Sequence, residues 1–443
     1  MAKPVVAIVG RPNVGKSTLF NKLTGKRISI VEDTPGVTRD RIVFDCEWCG
    51  RKMTLIDTGG LEPGVHDMIL DHIASQAEIA MEEADVILFL CDIRAGVTAS
   101  DREIAALLKR SRKPVVLAVN KVDSVGEVPP EFYEFYELGM EYGPFALSSV
   151  HGTGTGDILE TVVSLLPLEN DGDEDEDRIN VAIIGKPNSG KSSLVNALLG
   201  ENRVIVSPVA GTTRDAVDTR IDNAFGSYNF IDTAGIRRAS KVEDKIEKYS
   251  VLRARLAVER ADVCILMVDA FEGITAQDAT VAGLAHEAGK ACIIAMNKWD
   301  LPEKDNDSVK EATKKVYDML PFMQYAPLLF ISAKTGQRVE KLYEYINYGY
   351  MQATLRISTG MLNEMLNAAV TRVQPPSDKG RRLKIYYMTQ VDVKPPKFVI
   401  FCNREDLFHF SYQRYIENCL RETFGFKGTP VQFVIRERTK EEE

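Results

Sequence analysis

The sequence predicts two doubly wound α/β domains in tandem, their sheets mostly parallel, followed by a small α+β module. Three observations carry that expectation. The octapeptide GRPNVGKS at 10–17 recurs as GKPNSGKS at 185–192, 175 residues later. Short apolar runs of strand length alternate with helical stretches through both halves. Beyond about Gly349 that alternation stops and a different order of elements begins.

Each octapeptide follows an apolar run (VVAIV at 5–9, VAII at 181–184) and opens an amphipathic stretch (TLFNKL, SLVNALL). Strand, glycine loop and helix is the context of a phosphate-binding loop. In the first copy Gly10, Arg11, Pro12, Asn13, Val14 and Gly15 would bring backbone N–H groups to phosphates, with Lys16 reaching their outer oxygens and Ser17 ligating Mg²⁺. In the second, Gly185, Lys186, Pro187, Asn188, Ser189 and Gly190 form the turn, Lys191 supplies the cation and Ser192 the hydroxyl.

Next come Asp57-Thr58-Gly59-Gly60-Leu61 and Asp232-Thr233-Ala234-Gly235-Ile236. Asp57 and Asp232 end apolar strands and would hold Mg²⁺; Gly60 and Gly235 would let a backbone N–H approach the γ-phosphate. Between the two motifs lie PGVTRD and AGTTRD, where Thr38 and Thr213 are placed to complete the Mg²⁺ shell as switch-loop residues.

Asn120-Lys121-Val122-Asp123 and Asn297-Lys298-Trp299-Asp300 follow the runs VVLAV and CIIAM. A carboxylate accepts from guanine N1–H and N2–H₂, a donor pair that adenine does not offer, so Asp123 and Asp300 predict GTP over ATP. Asn120 and Asn297 would brace the loops, and the stems of Lys121 and Lys298 would lie along the base. Ser148-Ser149 and Ser332-Ala333-Lys334 would offer N–H groups to guanine O6; Val150 stands where the second copy has Lys334.

The last part reads α-β-β-α-β: MLNEMLNAAV and YQRYIENCLRETF as helices, RLKIYYMTQV, KFVIFCN and PVQFVIR as strands. Between the repeats, LENDGDEDEDR packs seven acids from Glu169 to Asp177 and reads as a solvated linker. The expected limits are therefore 1–167, linker 168–178, 179–349 and 350–443.

The bulk numbers fit this division. A chain of 443 residues accommodates about three domains. Its 44% apolar and 27% charged content suits globular domains. No apolar segment precedes the first strand, and runs such as VILFLC fall far short of the roughly 20 residues that span a bilayer. A cytoplasmic monomer without membrane contact is the expectation. Net charge is −9, yet residues 351–443 carry 15 Lys+Arg against 11 Asp+Glu, which permits a nucleic-acid contact there. Of the seven cysteines, Cys91, Cys264 and Cys292 read as buried strand residues. Cys46 and Cys49 read as a hairpin turn, since a structural zinc site needs four ligands.

The order of motifs resembles the Era/TrmE group of GTPases. The tandem arrangement with a small α+β module, together with DTAGIRR at 232–238 and KIEKYSVLRA at 245–254, resembles the EngA (Der) family over essentially the whole chain. That resemblance implies GTP hydrolysis in tandem P-loop GTPase domains and a KH-like C-terminal domain. It also implies action in assembly of the large ribosomal subunit, with docking on its rRNA. In Ras-like GTPases a glutamine follows the Asp-x-x-Gly motif; here Leu61 and Ile236 cannot orient water. The resemblance implies instead that Asn13 and Asn188 ligate K⁺, which would supply positive charge to the developing phosphoryl charge. The alternative for both asparagines is a turn-capping role. An alternative for the whole chain is a nucleotide-gated RNA- or protein-binding module in which one site only senses. Gly425-Phe426-Lys427-Gly428 reads as a helix stop and turn rather than an RNA-clamping loop. RNA contact would then fall to Arg381, Arg382, Lys384, Lys394 and Lys397, which read equally as a solvated face.

Overall fold

The computed structural model describes residues 3–23, 43–58, 81, 84–111, 113–123, 128–167, 178–200, 205–207, 218–233, 247–301, 307–378 and 381–437. The chain forms two compact units, Met1–Gly172 and Asp173–Glu443. The acid-rich stretch 168–177 lies outside the described residues.

In the first unit the apolar runs become strands Val5–Val9 (β1), Val43–Trp48 (β2), Arg51–Asp57 (β3), Val86–Asp92 (β4), Val115–Asn120 (β5) and Tyr142–Ala146 (β6). Their order is β2-β3-β1-β4-β5-β6, parallel except for the β2–β3 hairpin. That hairpin turns at Cys49 and Gly50, both with positive φ, so the Cys46–Cys49 pair is a turn as expected. Helices Lys16–Leu23 (α1), Ala99–Arg110 (α2) and Thr155–Leu165 (α3) accompany the sheet. Leu19 of α1 and Ile158 and Val162 of α3 bury against Val6, Ile8, Leu88 and Val116. β1 sits between β3 and β4, so chain direction around the sheet reverses at β1 and leaves a crevice beyond its carboxyl end, where ligands bind in such sheets.

The second unit repeats the plan. Strands Ile179–Ile184 (β7), Ile205–Ser207 (β8), Thr219–Asn223 (β9), Gly226–Ile231 (β10), Val263–Asp269 (β11), Ala291–Asn297 (β12) and Leu328–Phe330 (β13) run in the order β13-β12-β11-β7-β10-β9-β8. Helices are Lys191–Leu199 (α4), Glu247–Arg260 (α5), Ala276–Glu287 (α6), Ser308–Met319 (α7) and Lys341–Thr354 (α8). Side chains alternate along each strand. Val181, Ile183, Ile265, Met267, Ile293 and Ala295 therefore enter one core, while Ala182, Ile184, Leu266, Val268, Ile294 and Met296 enter another on the opposite face. Burial on both faces is why these strands read as unbroken apolar runs. Cys264 and Cys292 are buried neighbours in that register, and burial pushes both thiols up.

The end of the chain adds helix Thr359–Arg372 (α9), a two-residue hairpin Ser377–Asp378 (β14) and Arg381–Arg382 (β15), strands Ile385–Asp392 (β16) and Lys397–Cys402 (β17), helix Phe410–Phe424 (α10) and strand Gln432–Glu437 (β18). Apart from the short hairpin this is the expected α-β-β-α-β order. β17 pairs antiparallel with β16 and parallel with β18. Leu362 and Leu366 of α9 and Ile416 and Leu420 of α10 cover Met388, Phe398 and Ile400. Helix α8 runs without a break across position 350. Cys292 N donates to Gly428 O (2.7 Å) and Gly428 N to Tyr325 O (2.8 Å), so backbone hydrogen bonds join this module to the seven-stranded sheet. Gly425 ends α10 and Phe426, fully buried, donates its N–H to Gln352. The Gly425–Gly428 segment is thus a packed turn, as read from the sequence.

Candidate functional site

Each glycine loop leaves the central strand at the crevice and enters a helix at its lysine. The left-handed backbone at Asn13 (φ 65°) and Asn188 (φ 61°) suits a residue type that tolerates that region. Gly15 and Gly190 go further. A Cβ on Gly15 would lie 2.3 Å from Asn120 Nδ2, and one on Gly190 would lie 2.1 Å from Asn297 Nδ2. No side chain fits because the asparagine of the Asn-Lys-x-Asp motif is pressed against the loop.

Those asparagines are bridges. Asn120 Nδ2 donates to Val14 O (2.7 Å), while its Oδ1 accepts from Ser149 N and Ser149 Oγ, both at 2.9 Å. Asn297 Nδ2 donates to Ser189 O (2.9 Å) and its Oδ1 accepts from Ala333 N (2.9 Å). Both asparagines are buried. One amide therefore ties the phosphate loop, the Asn-Lys-x-Asp strand end and the Ser148-Ser149 or Ser332-Ala333 loop together, in both copies. Val122 N to Leu147 O (3.0 Å) and Trp299 N to Ile331 O (3.1 Å) add a second tie. Trp299 also packs on Phe330, ring centroids 4.3 Å apart.

The phosphate-loop lysines fold back on their own loops. Lys16 Nζ donates to Gly10 O (2.6 Å) and Arg11 O (3.0 Å); Lys191 Nζ donates to Gly185 O (2.8 Å) and Lys186 O (2.7 Å). Burial pulls the Lys191 pKa down to about 8, with Asp278 opposing. The unfolded lysine keeps its proton to a higher pH, so between about 8 and 10.5 the unfolded chain binds more protons and stability rises with pH through that window. A phosphate group bound beside Lys191 would restore the charge. GDP affinity at the second site should therefore fall above pH 8, by up to about ten-fold per pH unit, with proton uptake on binding at pH 9. Calorimetry in buffers of different ionisation enthalpy reads that uptake; no uptake at pH 9 contradicts the expectation.

Lys121 and Lys298 also have left-handed backbone, and their ammonium groups are pinned. Lys121 Nζ lies 2.6 Å from Asp92 Oδ2 and donates to Asn13 O (2.9 Å); Lys298 Nζ lies 2.6 Å from Asp269 Oδ2. Against burial, which pushes it up, Lys298 and the Phe271 N–H hold the Asp269 carboxyl below its ordinary range. Asp92 and Asp269 were not singled out by sequence reasoning, nor were Asp101 and Asp278. The latter two are fully buried in the capping boxes that start α2 and α6, and they face Arg11 (3.3 Å) and Lys186 (3.7 Å) of the phosphate loops. A signal was present: DIRAGVTASD at 92–101 and DAFEGITAQD at 269–278 share Asp-x-x-x-Gly-x-Thr-x-x-Asp, 177 residues apart, the same spacing as the Asn-Lys-x-Asp pair.

Asp57 is buried at the end of β3, with Thr58 Oγ1 donating to Ile8 O (2.6 Å). Asp232 has φ 55°, and its N–H donates to Asp218 Oδ1 (2.9 Å). Ser17 and Ser192 open α1 and α4. Among the described residues no cluster of three or more His, Cys, Asp or Glu could hold a metal alone. One hydroxyl and one carboxylate per copy is the sparse, hard-oxygen set that suits Mg²⁺ when nucleotide phosphates and water supply the remaining ligands. Thr38, Gly59, Gly60 and Leu61, with Thr213, Ala234, Gly235 and Ile236, lie outside the described residues. In the last module Lys394 Nζ donates to Asp262 Oδ1 (3.1 Å) and Tyr350 OH (2.9 Å), and Arg382 Nη2 donates to Gln374 Oε1 (2.6 Å), so both of these candidate RNA-contacting residues are engaged within the fold. Among the described residues no helix is long and apolar enough to cross a membrane.

Comparison with known proteins gives matches in all three parts. The family described as 50S ribosome-binding GTPase matches residues 5–121 and 180–298, and the KH-domain-like C-terminal family of EngA bacterial GTPase enzymes matches 356–436. GTPase Der of Acetivibrio thermocellus is 60% identical over 442 residues, and GTPase Der of Ruminiclostridium cellulolyticum 60% over 441, each pair covering 100% of both chains. Among solved structures, Aquifex aeolicus Era bound to GDP.AlF4- superposes with a TM-score of 0.30 at 23% identity, covering 60% of this chain and 95% of that one.

Proposed function

The chain belongs to the GTPase Der (EngA) family of GTP-binding, GTP-hydrolysing switches, and from that premise we propose that both of its nucleotide sites turn over GTP during assembly of the large ribosomal subunit. The observation that carries the two-site reading is the buried asparagine bridge, present in full in both copies. Asp123 and Asp300 read guanine; Lys16 and Lys191 turn from loop carbonyls to the phosphates; Ser17, Asp57 and Thr38, with Ser192, Asp232 and Thr213, hold Mg²⁺. The bound Mg²⁺ neutralises phosphate charge, and K⁺ on the Asn13 and Asn188 amide oxygens would add positive charge at the transferring group. An exposed amide oxygen in each loop is a donor of the right kind for K⁺. The protein is proposed to work in the cytoplasm as a monomer, contacting the large subunit and its rRNA. The proposed limits are 1–167, 168–178, 179–349 and 350–443, with α8 carrying the chain across the last of them as one helix.

The test is GTP turnover by the full chain in K⁺ and in Na⁺, for the parent and for Lys16→Ala and Lys191→Ala separately, with nucleotide binding measured alongside. Two working sites predict that each variant keeps the other site's share, a fall of about two-fold in total turnover if the sites are equal. If one variant abolishes all turnover while the other site still binds GTP, that other site is a sensor. Equal turnover in the two cations sinks the K⁺ role.

A further inference from the structure

The two copies share one scaffold beside the base-reading carboxylate and hang different side chains on it. In the first, Arg94 N donates to Asp92 Oδ1 (3.0 Å) in the turn that follows β4, and Asp92 in turn holds Lys121, two residues before Asp123. In the second, Phe271 N donates to Asp269 Oδ1 (2.9 Å), and Asp269 holds Lys298, two residues before Asp300. Arg94 and Phe271 are therefore equivalent positions, 177 apart. From its position Arg94 reaches the carboxylate: Nη2 lies 2.8 Å from Asp123 Oδ2, while Ser148 Oγ donates to Asp123 Oδ1 (2.8 Å). Phe271 carries no donor and is 74% exposed.

The chemistry of that contact is specific. Guanine presents N1–H and the exocyclic N2–H₂ on one edge, and atoms N1, N2 and N3 around C2 are a guanidine fragment. An arginine guanidinium offers a carboxylate the same donor pattern. We propose that Arg94 is an internal stand-in for guanine at the first site, engaging the base-reading carboxylate of Asp123 until nucleotide displaces it, and that the second site, with Phe271 there, has no such competitor at that position. Arg94 is thereby an affinity-setting residue, and the first site takes up guanine nucleotide less readily than its other contacts would allow. This inference rests on the reading of Asp123 and Asp300 as guanine-binding.

The pair is solvent-accessible, with side chains 68% and 38% exposed, so the competition is modest and salt-dependent. Exposed pairs of this kind contribute enough to shift binding by about two- to five-fold. The experiment titrates a fluorescent GDP analogue, with Mg²⁺, into the full chain carrying Asp300→Asn, so that guanine is read only at the first site. Adding Arg94→Ala should tighten binding by about two- to five-fold at 50 mM salt, and the gain should shrink at 500 mM, where charges are screened beyond about 4 Å. The reciprocal change, Phe271→Arg on an Asp123→Asn background, should weaken the second site by a similar factor. Unchanged or weaker binding on Arg94→Ala overturns the proposal. A chain carrying Asp300→Asn alone that binds no GDP overturns the nucleotide reading beneath it.

Discussion

Gly190→Ala should strip guanine nucleotide from the second site, an affinity loss above about a hundred-fold, and leave the first site binding as before. The methyl group has nowhere to go. The backbone at Gly190 has φ 95°, which costs an L-residue about 1–2 kcal/mol. The new Cβ would also sit 2.1 Å from Asn297 Nδ2. Asn297 cannot swing aside cheaply, since its amide is buried and bonded to Ser189 O and Ala333 N, both at 2.9 Å. Leaving such buried groups unpaired costs about 1–3 kcal/mol each. Gly15→Ala should do the same to the first site, where the distance is 2.3 Å. Titration of a fluorescent GDP analogue, with circular dichroism to confirm the fold, checks both; affinity within ten-fold of the parent would contradict the argument.

Asp300→Asn should exchange the base. The amide keeps one acceptor but places N–H₂ where guanine also presents a donor. Sites built to hydrogen-bond a polar group reject a mismatched one by up to about 10⁴-fold, so GDP affinity should fall by a factor on the order of 10³. Xanthosine diphosphate, with an oxygen at C2, should recover much of the loss because the new amide can donate to it. Competition between the two diphosphates at the second site measures the exchange. Unaltered GDP preference would mean that another group reads the base.

What was legible in the sequence follows from which residues have few substitutes. The lysines of the loops, the glycines at 15 and 190 and the asparagines at 120 and 297 each meet a demand that few other types satisfy, so their spacing marked the loops that the structure brings together. The strands were legible because burial on both faces leaves only apolar residues, as at Val263–Asp269. Asp101 and Asp278 could have been found, since Thr-x-x-Asp is a capping pattern. Their second role, facing Arg11 and Lys186, depends on the approach of two loops about 90 residues apart in sequence. Arg94 is a stronger case: a lone exposed arginine after a strand carries no pattern, and only the folded turn brings it to Asp123. The continuity of α8 across 350 was likewise invisible, because the change of element order there looks the same with or without a helix running through it.

The asparagine bridge also sets how the parts of a nucleotide add up. Because one amide already bonds to both the phosphate loop and the loop at Ser149 or Ala333, the two halves of each site are held in register with one another. A ligand that carries base and phosphates together meets the second half at high effective concentration. On the proposed reading, Asn120 and Asn297 would make each site a chelator of whole nucleotides, favouring a ligand that carries both base and phosphates over either fragment.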